Sequence, residues 1–440
     1  MRSSLLLVLI SCILSAQSTI LEHARIIDGT GQVLENAALL ITGERIAGIN
    51  VQSAKGAVAI DAKGKTIIPG LVNAHGHLGV TRGAKSAPEN YTPENVSVQL
   101  EQYARYGVTS MLSLGLNLDL IYDLRARQQH GGFAPGGATI FTAGRGIGVP
   151  GGAPPLNVAG AQVYRPSTPE EARAAVRETA SHHADIIKIW VDDIRGTMPK
   201  MRPEIYSAVI EEAHRQHLRV AAHIYYLADA VALVKLGVDV IAHSIRDKEV
   251  DSGLMRAMKD KGVYYIPTLE LDESFYLYAD HPEWLNDAFL AGALNPDLRA
   301  MLSSRAWRDK VLSDPNTKKD REAFEIALRN LRTLHAGGVN IGMGTDSGAT
   351  PLRLQGFAEH LELELMTRAG LSPMDVLVSA TRNSATICGV TDRGTLEPGK
   401  VADFLVLDAN PLGDIRNSRR IAAVWHNGRK IPAQATSREP

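Results

Sequence analysis

The chain has 440 residues, enough for one large barrel domain with a small accessory domain. Hydrophobic residues make up 45% and charged residues 22%, an ordinary balance for a globular protein. The formal net charge is −1 and no long run of lysine and arginine occurs, so a nucleic-acid partner is not expected. The two cysteines, Cys12 and Cys388, are too few for a framework of disulfides.

Residues 1–18 predict a signal peptide. Arg2 gives a positive start, residues 5–14 are apolar except for a serine and Cys12, and small residues suitable for cleavage follow at 16–18. The apolar run is shorter than the roughly 20 residues that a membrane-spanning helix needs. A buried first strand is the alternative, although strand alternation is lacking. We therefore expect export to the periplasm or the exterior, with lipid anchoring at Cys12 as a less favoured form.

Both ends of the chain predict strands. Short alternating runs separated by turns occur at 20–27, 37–49, 402–407 and 422–428. This pattern predicts a small β-sandwich-like accessory domain formed by residues 19–65 together with residues 391–433.

The middle of the chain, residues 66–390, predicts a (β/α)₈ barrel of the TIM type. Apolar runs rich in β-branched residues alternate with segments of helical period, which is the pattern of a parallel sheet. Residues 270–315 break this rhythm and predict a partly helical insertion. The eight predicted strands are Thr66–Asn73, Val108–Leu114, Ala138–Ala143, Ile186–Val191, Val220–Ala222, Val238–Ala242, Val263–Thr268 and Val339–Gly344.

Metal-binding residue types follow four of these strands. His75 and His77 lie at the end of the first strand and are separated by one residue. In an extended segment this spacing points both rings the same way. His223, His243 and Asp346 follow strands five, six and eight. Alone, each has an ordinary interpretation, such as a turn histidine, a core histidine or a helix-capping aspartate. Because barrel enzymes place their chemistry at the carboxyl ends of strands, their coincidence favours one metal site.

Lys188 lies inside the apolar fourth strand, where an unpaired amine is costly. One explanation is an ion pair with a carboxylate such as Asp192. The other is an amine that burial keeps neutral and that captures carbon dioxide as a carbamate, which then bridges two cations. The number of histidines favours the second explanation.

These residues and three motifs resemble the amidohydrolase superfamily. The motifs are Ile-Ile-Pro-Gly-Leu-Val-Asn-Ala-His-Gly-His at 67–77, Gly-Thr-Asp at 344–346 and Gly-Thr-Leu-Glu-Pro-Gly-Lys-Val-Ala-Asp at 394–403. Their details are similar to the exported, imidazolonepropionase-related and prolidase-like branch. The resemblance covers nearly the whole chain after the signal peptide and is specific for the superfamily rather than for a substrate.

The resemblance implies a two-metal centre. One metal would be held by His75, His77 and Asp346 and the other by His223 and His243, with carboxylated Lys188 and a hydroxide between them. Asp346 would move the proton from the attacking hydroxide to the departing nitrogen. Zinc is the metal that such ligands favour, although manganese or iron could use the same set.

Two further residues are candidates for binding substrate. Tyr225 matches a position that contacts substrate in peptidase-like relatives, while ordinary packing at a helix start is the alternative. The loop at 144–152 has no histidine where those relatives have one. Either Arg145 replaces it as a carboxylate anchor, or the substrate has no carboxylate at this point. The glycines of this loop do not open a helix and therefore do not indicate a dinucleotide site.

The predicted function is metal-dependent hydrolysis of a carbon–nitrogen bond in a dipeptide, an N-acyl amino acid or a similar small molecule. A one-metal cyclic-amide hydrolase or deaminase is the alternative, and in that case Lys188 is unmodified. A binding protein without catalysis on the same scaffold is a remote third possibility. The expected partner is therefore a small-molecule or short-peptide substrate, and a homo-oligomer is compatible with the sequence.

Overall fold

The computed structural model describes residues 17–433. The predicted signal peptide therefore lies almost wholly outside the described residues, as does Cys12. Within the described part, no helix combines the length and the apolar character needed to cross a membrane. The strands are β1 (Ser18–Ile27), β2 (Val33–Thr42), β3 (Arg45–Ile49), β4 (Val58–Asp61), β5 (Thr66–Pro69), β6 (Leu71–Gly76), β7 (Thr81–Arg82), β8 (Lys85–Ser86), β9 (Val108–Ser113), β10 (Thr139–Thr142), β11 (Ile187–Trp190), β12 (Val220–His223), β13 (Val240–Ala242), β14 (Tyr264–Ile266), β15 (Asn340–Ile341), β16 (Phe404–Leu407), β17 (Ile421–His426) and β18 (Arg429–Ile431).

The α-helices alternate with the central strands and begin at recognisable caps. Thr92 and Thr168 each accept a hydrogen bond from a first-turn backbone N–H, and each is followed by a proline that suits the first helical position. The helices are α1 (Pro93–Arg105), α2 (Leu120–Gln129), α3 (Pro169–Ser181), α4 (Pro203–Arg215), α5 (Leu227–Leu236), α6 (Ser252–Asp260), α7 (Leu269–Ser274), α8 (Leu277–Asp280), α9 (Ala288–Ala291), α10 (Pro296–Leu302), α11 (Arg305–Ser313), α12 (Pro315–Ala336), α13 (Phe357–Arg368), α14 (Pro373–Val378) and α15 (Ser384–Ile387).

The two ends of the chain share one sheet, in the order β18-β17-β16-β5-β1-β2-β3, with β4 on β1. β16 pairs antiparallel with β5, and β1 pairs parallel with β5. A cluster of buried side chains lies on this sheet, including Leu39, Phe404 and Trp425. The stacked rings of Phe404 and Trp425 have centroids 5.4 Å apart.

The middle of the chain forms parallel strands in the order β10-β9-β6 and β11-β12-β13-β14-β15. Two bridges join these groups. Gly76 pairs with Ser347 after β15, and Ile147 after β10 pairs with Ile189 in β11. The eight strands thus follow one another around a ring, with small and branched side chains such as Ala74, Ala221 and Val240 inside it.

One predicted strand is wrong in its bounds. Residues 66–73 form two strands, because β5 belongs to the sheet of the termini and the barrel begins with β6. The break falls at Gly70, whose N–H donates to the carbonyl of Asp403 at 2.9 Å. A side chain here would lie 2.2 Å from the hydroxyl oxygen of Thr109, so glycine at this position lets the two strands pass without displacing Thr109.

Candidate metal centre

The end of β6 brings two histidines to one carboxylate. The Nε2 atoms of His75 and His77 lie 3.1 and 2.9 Å from Oδ1 of Asp346, and all three side chains are buried. Nδ1 of His77 contacts the carbonyl of Gly115 at 3.2 Å, which orients this ring. Ligand atoms of these three residues lie within 4.8 Å of one another, as they would around a metal ion.

Asp346 is held by the backbone of the neighbouring strand. Its N–H donates to the carbonyl of His75 at 2.7 Å, and the N–H of Thr345 donates to the same oxygen at 3.0 Å. Asp346 has φ +60°, a strained backbone conformation for a residue other than glycine. Such strain is kept where the surroundings impose it, which is common at functional sites.

Glu359 on α13 holds the segment around Asp346 in place through hydrogen bonds, and the sequence analysis missed this residue. Its Oε1 accepts hydrogen bonds from Asn73 (2.6 Å), Thr345 (2.7 Å) and Ser347 (2.7 Å). Its Oε2 accepts from the N–H of Gly356 at 2.6 Å. The fully buried carboxylate thus ties β6 to the segment that carries Asp346. A glutamate at an apolar position of α13 was the signal available in the sequence.

His223 and His243 complete the ring of imidazoles. The centroid of His243 lies 4.3 Å from that of His223 and 4.5 Å from that of His75. Nδ1 of His243 contacts the hydroxyl of Thr268 at 2.8 Å, and Nε2 of His223 contacts Asp192 at 3.2 Å. Each ring therefore has its other nitrogen for a ligand bond, and the outer partner fixes the ring orientation.

Lys188 lies among these rings without an ion pair. It is fully buried, and Nζ has no hydrogen-bond partner within residues 17–433. The alternative pairing with Asp192 is wrong, because that carboxylate is used by His223. Burial lowers the pKa of Lys188 to about 7, against the opposing charge of Asp346, so its amine can be neutral and nucleophilic.

A narrow slot positions the lysine stem. Side chains on Gly115 and Gly146 would lie 2.6 and 2.5 Å from the ring of Trp190, and 3.2 and 3.4 Å from Cγ of Lys188. Nζ of Lys188 lies 5.4 Å from the centroid of Trp190. Two glycines from different loops thus leave space for this lysine and this indole together.

The donor set fits divalent cations. Nδ1 of His75 is buried and has no hydrogen-bond partner among the described residues, while its Nε2 lies 3.1 Å from the carboxylate of Asp346. Burial holds the pKa values of His75 and His243 well below the usual range, so both rings are neutral and their lone pairs can bind metal. Buried nitrogen atoms without partners are costly in a protein that binds nothing there. His75, His77 and Asp346 form a group that can hold a metal ion.

The two predicted substrate residues have different surroundings. Nε of Arg145 donates to Asp119 at 2.8 Å, and its guanidinium lies 4.8 Å from the ring of Tyr164. Arg145 is thus occupied as an ion-pair partner outside the group of metal-binding side chains. Tyr225 lies between two guanidinium groups, 5.3 Å from that of Arg195 and 5.0 Å from that of Arg246. The guanidinium groups at this edge of the site come from the loops after β11 and β13.

Arg353 is a second residue that the sequence analysis missed. It is 8% exposed, and Nη1 contacts Oδ2 of Asp346. Burial opposes ionisation of Asp346, but the charge of Arg353 and the bonds from His75 and His77 hold the pKa of this carboxyl well below its usual range. The arginine lies seven residues after Asp346 in a loop without regular structure, so no periodic pattern marks it.

Close packing of two barrel strands gives a prediction about Gly344. A side chain at this position would lie 2.6 Å from Cβ of His75 and 2.7 Å from Ile266. We expect Gly344→Ala to reduce the free energy of unfolding by about 1–3 kcal/mol, the usual cost of overpacking. The variant should also retain less metal, because His75 is displaced. Thermal unfolding and elemental analysis measure both effects. Gly160→Ala is the control, since a side chain there meets nothing within 4 Å.

Comparisons with known proteins agree with this arrangement. Residues 66–431 match the model of the amidohydrolase family. Ochratoxinase of Aspergillus niger is 27% identical over an alignment of 467 positions that covers 94% of this chain and 86% of the relative. A Bacillus cereus 5-methylthioadenosine/S-adenosylhomocysteine deaminase is 22% identical and covers 86% of this chain and 82% of its own. The crystal structure of a candidate prolidase from Bifidobacterium longum superposes with a TM-score of 0.75 at 26% identity, covering 97% of each chain.

The barrel fold, the family match and the relatives define a hydrolase of the kind that acts on carbon–nitrogen bonds. The chain belongs to the amidohydrolase family. The predicted family, the α/β barrel fold and the hydrolytic class of enzyme are confirmed by these matches. The structural relatives include prolidase-like proteins and ochratoxinase.

Proposed function

We propose that this protein hydrolyses an amide or peptide bond with two divalent cations, preferably zinc, bound between His75, His77, Asp346, His223, His243 and carboxylated Lys188. The observation that carries the proposal is the unpartnered, buried amine of Lys188 among four histidines and an aspartate. Such an amine is costly unless it is modified or bound. Burial and the charge of this amine both contribute to lowering the pKa values of His75, His223 and His243, so the amine lies near both groups of proposed ligands, which favours a bridging role.

The bridging ligand would form by reaction of Lys188 with carbon dioxide. The neutral Nζ of Lys188 attacks the carbon of carbon dioxide, and a carbon–nitrogen bond forms as one carbon–oxygen π bond opens and its electrons move to oxygen. The nitrogen then releases one proton to water. The product is a carbamate with two oxygens, which matches the preference of divalent cations for carboxylate-like ligands. The slot formed by Gly115, Gly146 and Trp190 holds the stem of the lysine and restricts water around it.

Side chains of the protein would supply the proton transfer that hydrolysis needs. Two divalent cations, when bound, lower the pKa of water and polarise a substrate carbonyl. Asp346 accepts a proton at a carboxylate oxygen from the attacking water and passes it to the nitrogen as the carbon–nitrogen bond breaks. Arg353 orients this carboxylate through Oδ2. The products are a carboxylic acid and an amine.

The proposed substrates are dipeptides, N-acyl amino acids or similar small amides. The support is that ochratoxinase and the prolidase-like proteins are among the relatives. The test is hydrolysis of a mixed library of these compounds by zinc-loaded protein that was produced with bicarbonate. Turnover of any member is the expected result, and metal-free protein is the control. Absence of turnover with metal bound would contradict the proposal.

A mononuclear deaminase or cyclic-amide hydrolase is the second candidate. Its support is that His75, His77 and Asp346 already form a complete three-ligand group, and that a deaminase is among the relatives. About one metal ion per chain, with ammonia released from an aminopurine, would favour this candidate. In that case mass spectrometry would find Lys188 unmodified.

We also propose that the protein is exported. The support is the pattern of residues 1–18, a positive start, an apolar run and small residues suitable for cleavage. Expression of the full chain in a bacterium with an outer membrane should give a periplasmic protein whose amino terminus lies near residue 19. An intact amino terminus in the cytoplasm would refute export.

A further inference from the structure

Glu270 is a buried carboxylate that the proposed mechanism does not use. It lies in the first turn of α7, two residues after Thr268, whose hydroxyl contacts His243. The residue is 0% exposed, and neither carboxylate oxygen has a hydrogen-bond partner within the described residues. A buried carboxylate without donors is costly, and such groups concentrate at functional sites.

The neighbouring glutamates are satisfied, and Glu270 is not. Glu362 accepts hydrogen bonds from the N–H groups of Leu269 (2.9 Å) and Glu270 (2.7 Å), and these bonds fix the start of α7. Glu359 accepts from three side chains and one backbone N–H. Burial raises the pKa of Glu270 well above its usual range against the opposing charge of Arg353, and the charges of Glu359 and Glu362 add to the increase. This corner of the site thus holds several buried carboxyl groups and two unused acceptor atoms.

Arg353 lies near Glu270 but does not neutralise it by direct contact. Its Nη1 is used by Asp346, and its Nε has no partner among residues 17–433. The ring centroid of Phe275 lies 5.4 Å from the guanidinium of Arg353, and Phe275 is 40% exposed. Arg353 also lines a cavity of about 410 Å³. Arg353 thus lies between this cavity and Asp346.

We propose that Glu270 binds a primary ammonium group of the substrate, beside Asp346. An ammonium group offers three donors in a compact cation, which suits two unused carboxylate oxygens. The inference rests on the proposed function and narrows its substrate class to amides with a free amino group, such as dipeptides, over N-acylated compounds. Glu270 is thus a residue that determines specificity.

An internal pair with Tyr278 is the competing explanation. The hydroxyl of Tyr278 is buried and has no partner among the described residues, and the charge of Glu270 acts on it. If the two side chains only satisfy each other, Tyr278→Phe and Glu270→Gln should have the same effect on ligand binding. If Glu270 binds the substrate, only the change at Glu270 should alter the choice of ligand.

The test compares two ligands that cannot be hydrolysed. These are the ketomethylene isostere of alanyl-phenylalanine with a free amine and its N-acetyl derivative, titrated by calorimetry into zinc-loaded protein. We expect the wild type to bind the free amine about ten- to a hundredfold more tightly, the size of a hydrogen bond between charged groups. Glu270→Gln should bind both within about threefold, as for a change without a specific contact.

Two further variants complete the design. Tyr278→Phe should keep the preference for the amine, and Glu270→Asp, which keeps the charge, should keep part of it. No preference in the wild type, a preference that survives in Glu270→Gln, or its loss in Tyr278→Phe would overturn the inference. Because binding needs no turnover, a preference for the amine without hydrolysis of any amide would refute the proposed function alone. Hydrolysis without this preference would refute the inference alone.

Discussion

Asp346→Asn is expected to lower kcat by about 10²–10⁴-fold, the usual contribution of a positioned acid–base group. Asparagine keeps the shape of the side chain and one oxygen, but it cannot take a proton from water and pass it to the leaving nitrogen. The measurement is steady-state hydrolysis by wild type and variant at matched metal content. Matching is needed because Asp346 contacts both His75 and His77 and is itself a proposed ligand.

Asp119→Asn is the matched control for this variant. Asp119 is also a carboxylate paired with an arginine, Arg145, but it lies outside the histidine cluster. The control should keep kcat within about threefold, as surface changes usually do. Circular dichroism should show that both variants are folded. An unchanged kcat in Asp346→Asn would remove this residue from the proton transfer.

Lys188→Met is expected to reduce bound metal and to lower kcat by about three orders of magnitude, because bridged cations contribute several kcal/mol and each 1.4 kcal/mol is tenfold. The same change should leave the metal-free protein at least as stable as wild type, since methionine fills the slot beside Trp190 without an unpaired amine. Thermal unfolding of metal-free protein and elemental analysis of loaded protein separate the two effects. The combination of higher stability and lost metal distinguishes a ligand from a structural lysine.

Labelled bicarbonate provides an independent signal for the same residue. Wild type loaded with zinc and ¹³C-bicarbonate should show a carbamate carbon resonance, and Lys188→Met should lack it. A structural lysine would give no such signal in the wild type. It would also make the methionine variant less stable than the wild type, in contrast to the expectation above.

The proposed metal ligands could be predicted from sequence because each lies at or after the carboxyl end of a strand. A parallel barrel brings the carboxyl ends of its strands to one face, so His75, His223, His243 and Asp346 converge as soon as the strands are placed. Lys188 could be predicted because an unpaired lysine inside an apolar strand is costly, which leaves an ion pair or a modified amine as its explanation.

The supporting residues could not be found in the same way. Glu359 and Arg353 act on the end of β15 from α13 and from an irregular loop, and no strand pattern points to them. Their contacts depend on how helices and loops pack against the barrel. Arg145 was chosen for its position in the loop after β10, but its direction depends on Asp119 in the preceding loop. Side-chain direction in loops is set by such tertiary partners.

The boundary between β5 and β6 shows a second limit of predicting structure from the sequence. Residues 66–76 are almost continuously apolar, which suits one long buried strand as well as two short ones. The two strands belong to different sheets, since β5 pairs with β1 and β16 while β6 pairs with β9, and Gly70 between them packs closely against Thr109. A contact of this kind between distant residues does not show in a hydrophobic pattern.

The central claim is a two-metal centre built on carboxylated Lys188, and the metal-to-chain ratio tests it most directly. Elemental analysis of zinc-loaded wild type produced with bicarbonate should give about two metal ions per chain. Lys188→Met should give about one or fewer, because His223 and His243 lose the ligand they share with the other group. About one ion per chain in the wild type, with the lysine variant unchanged, would contradict the account.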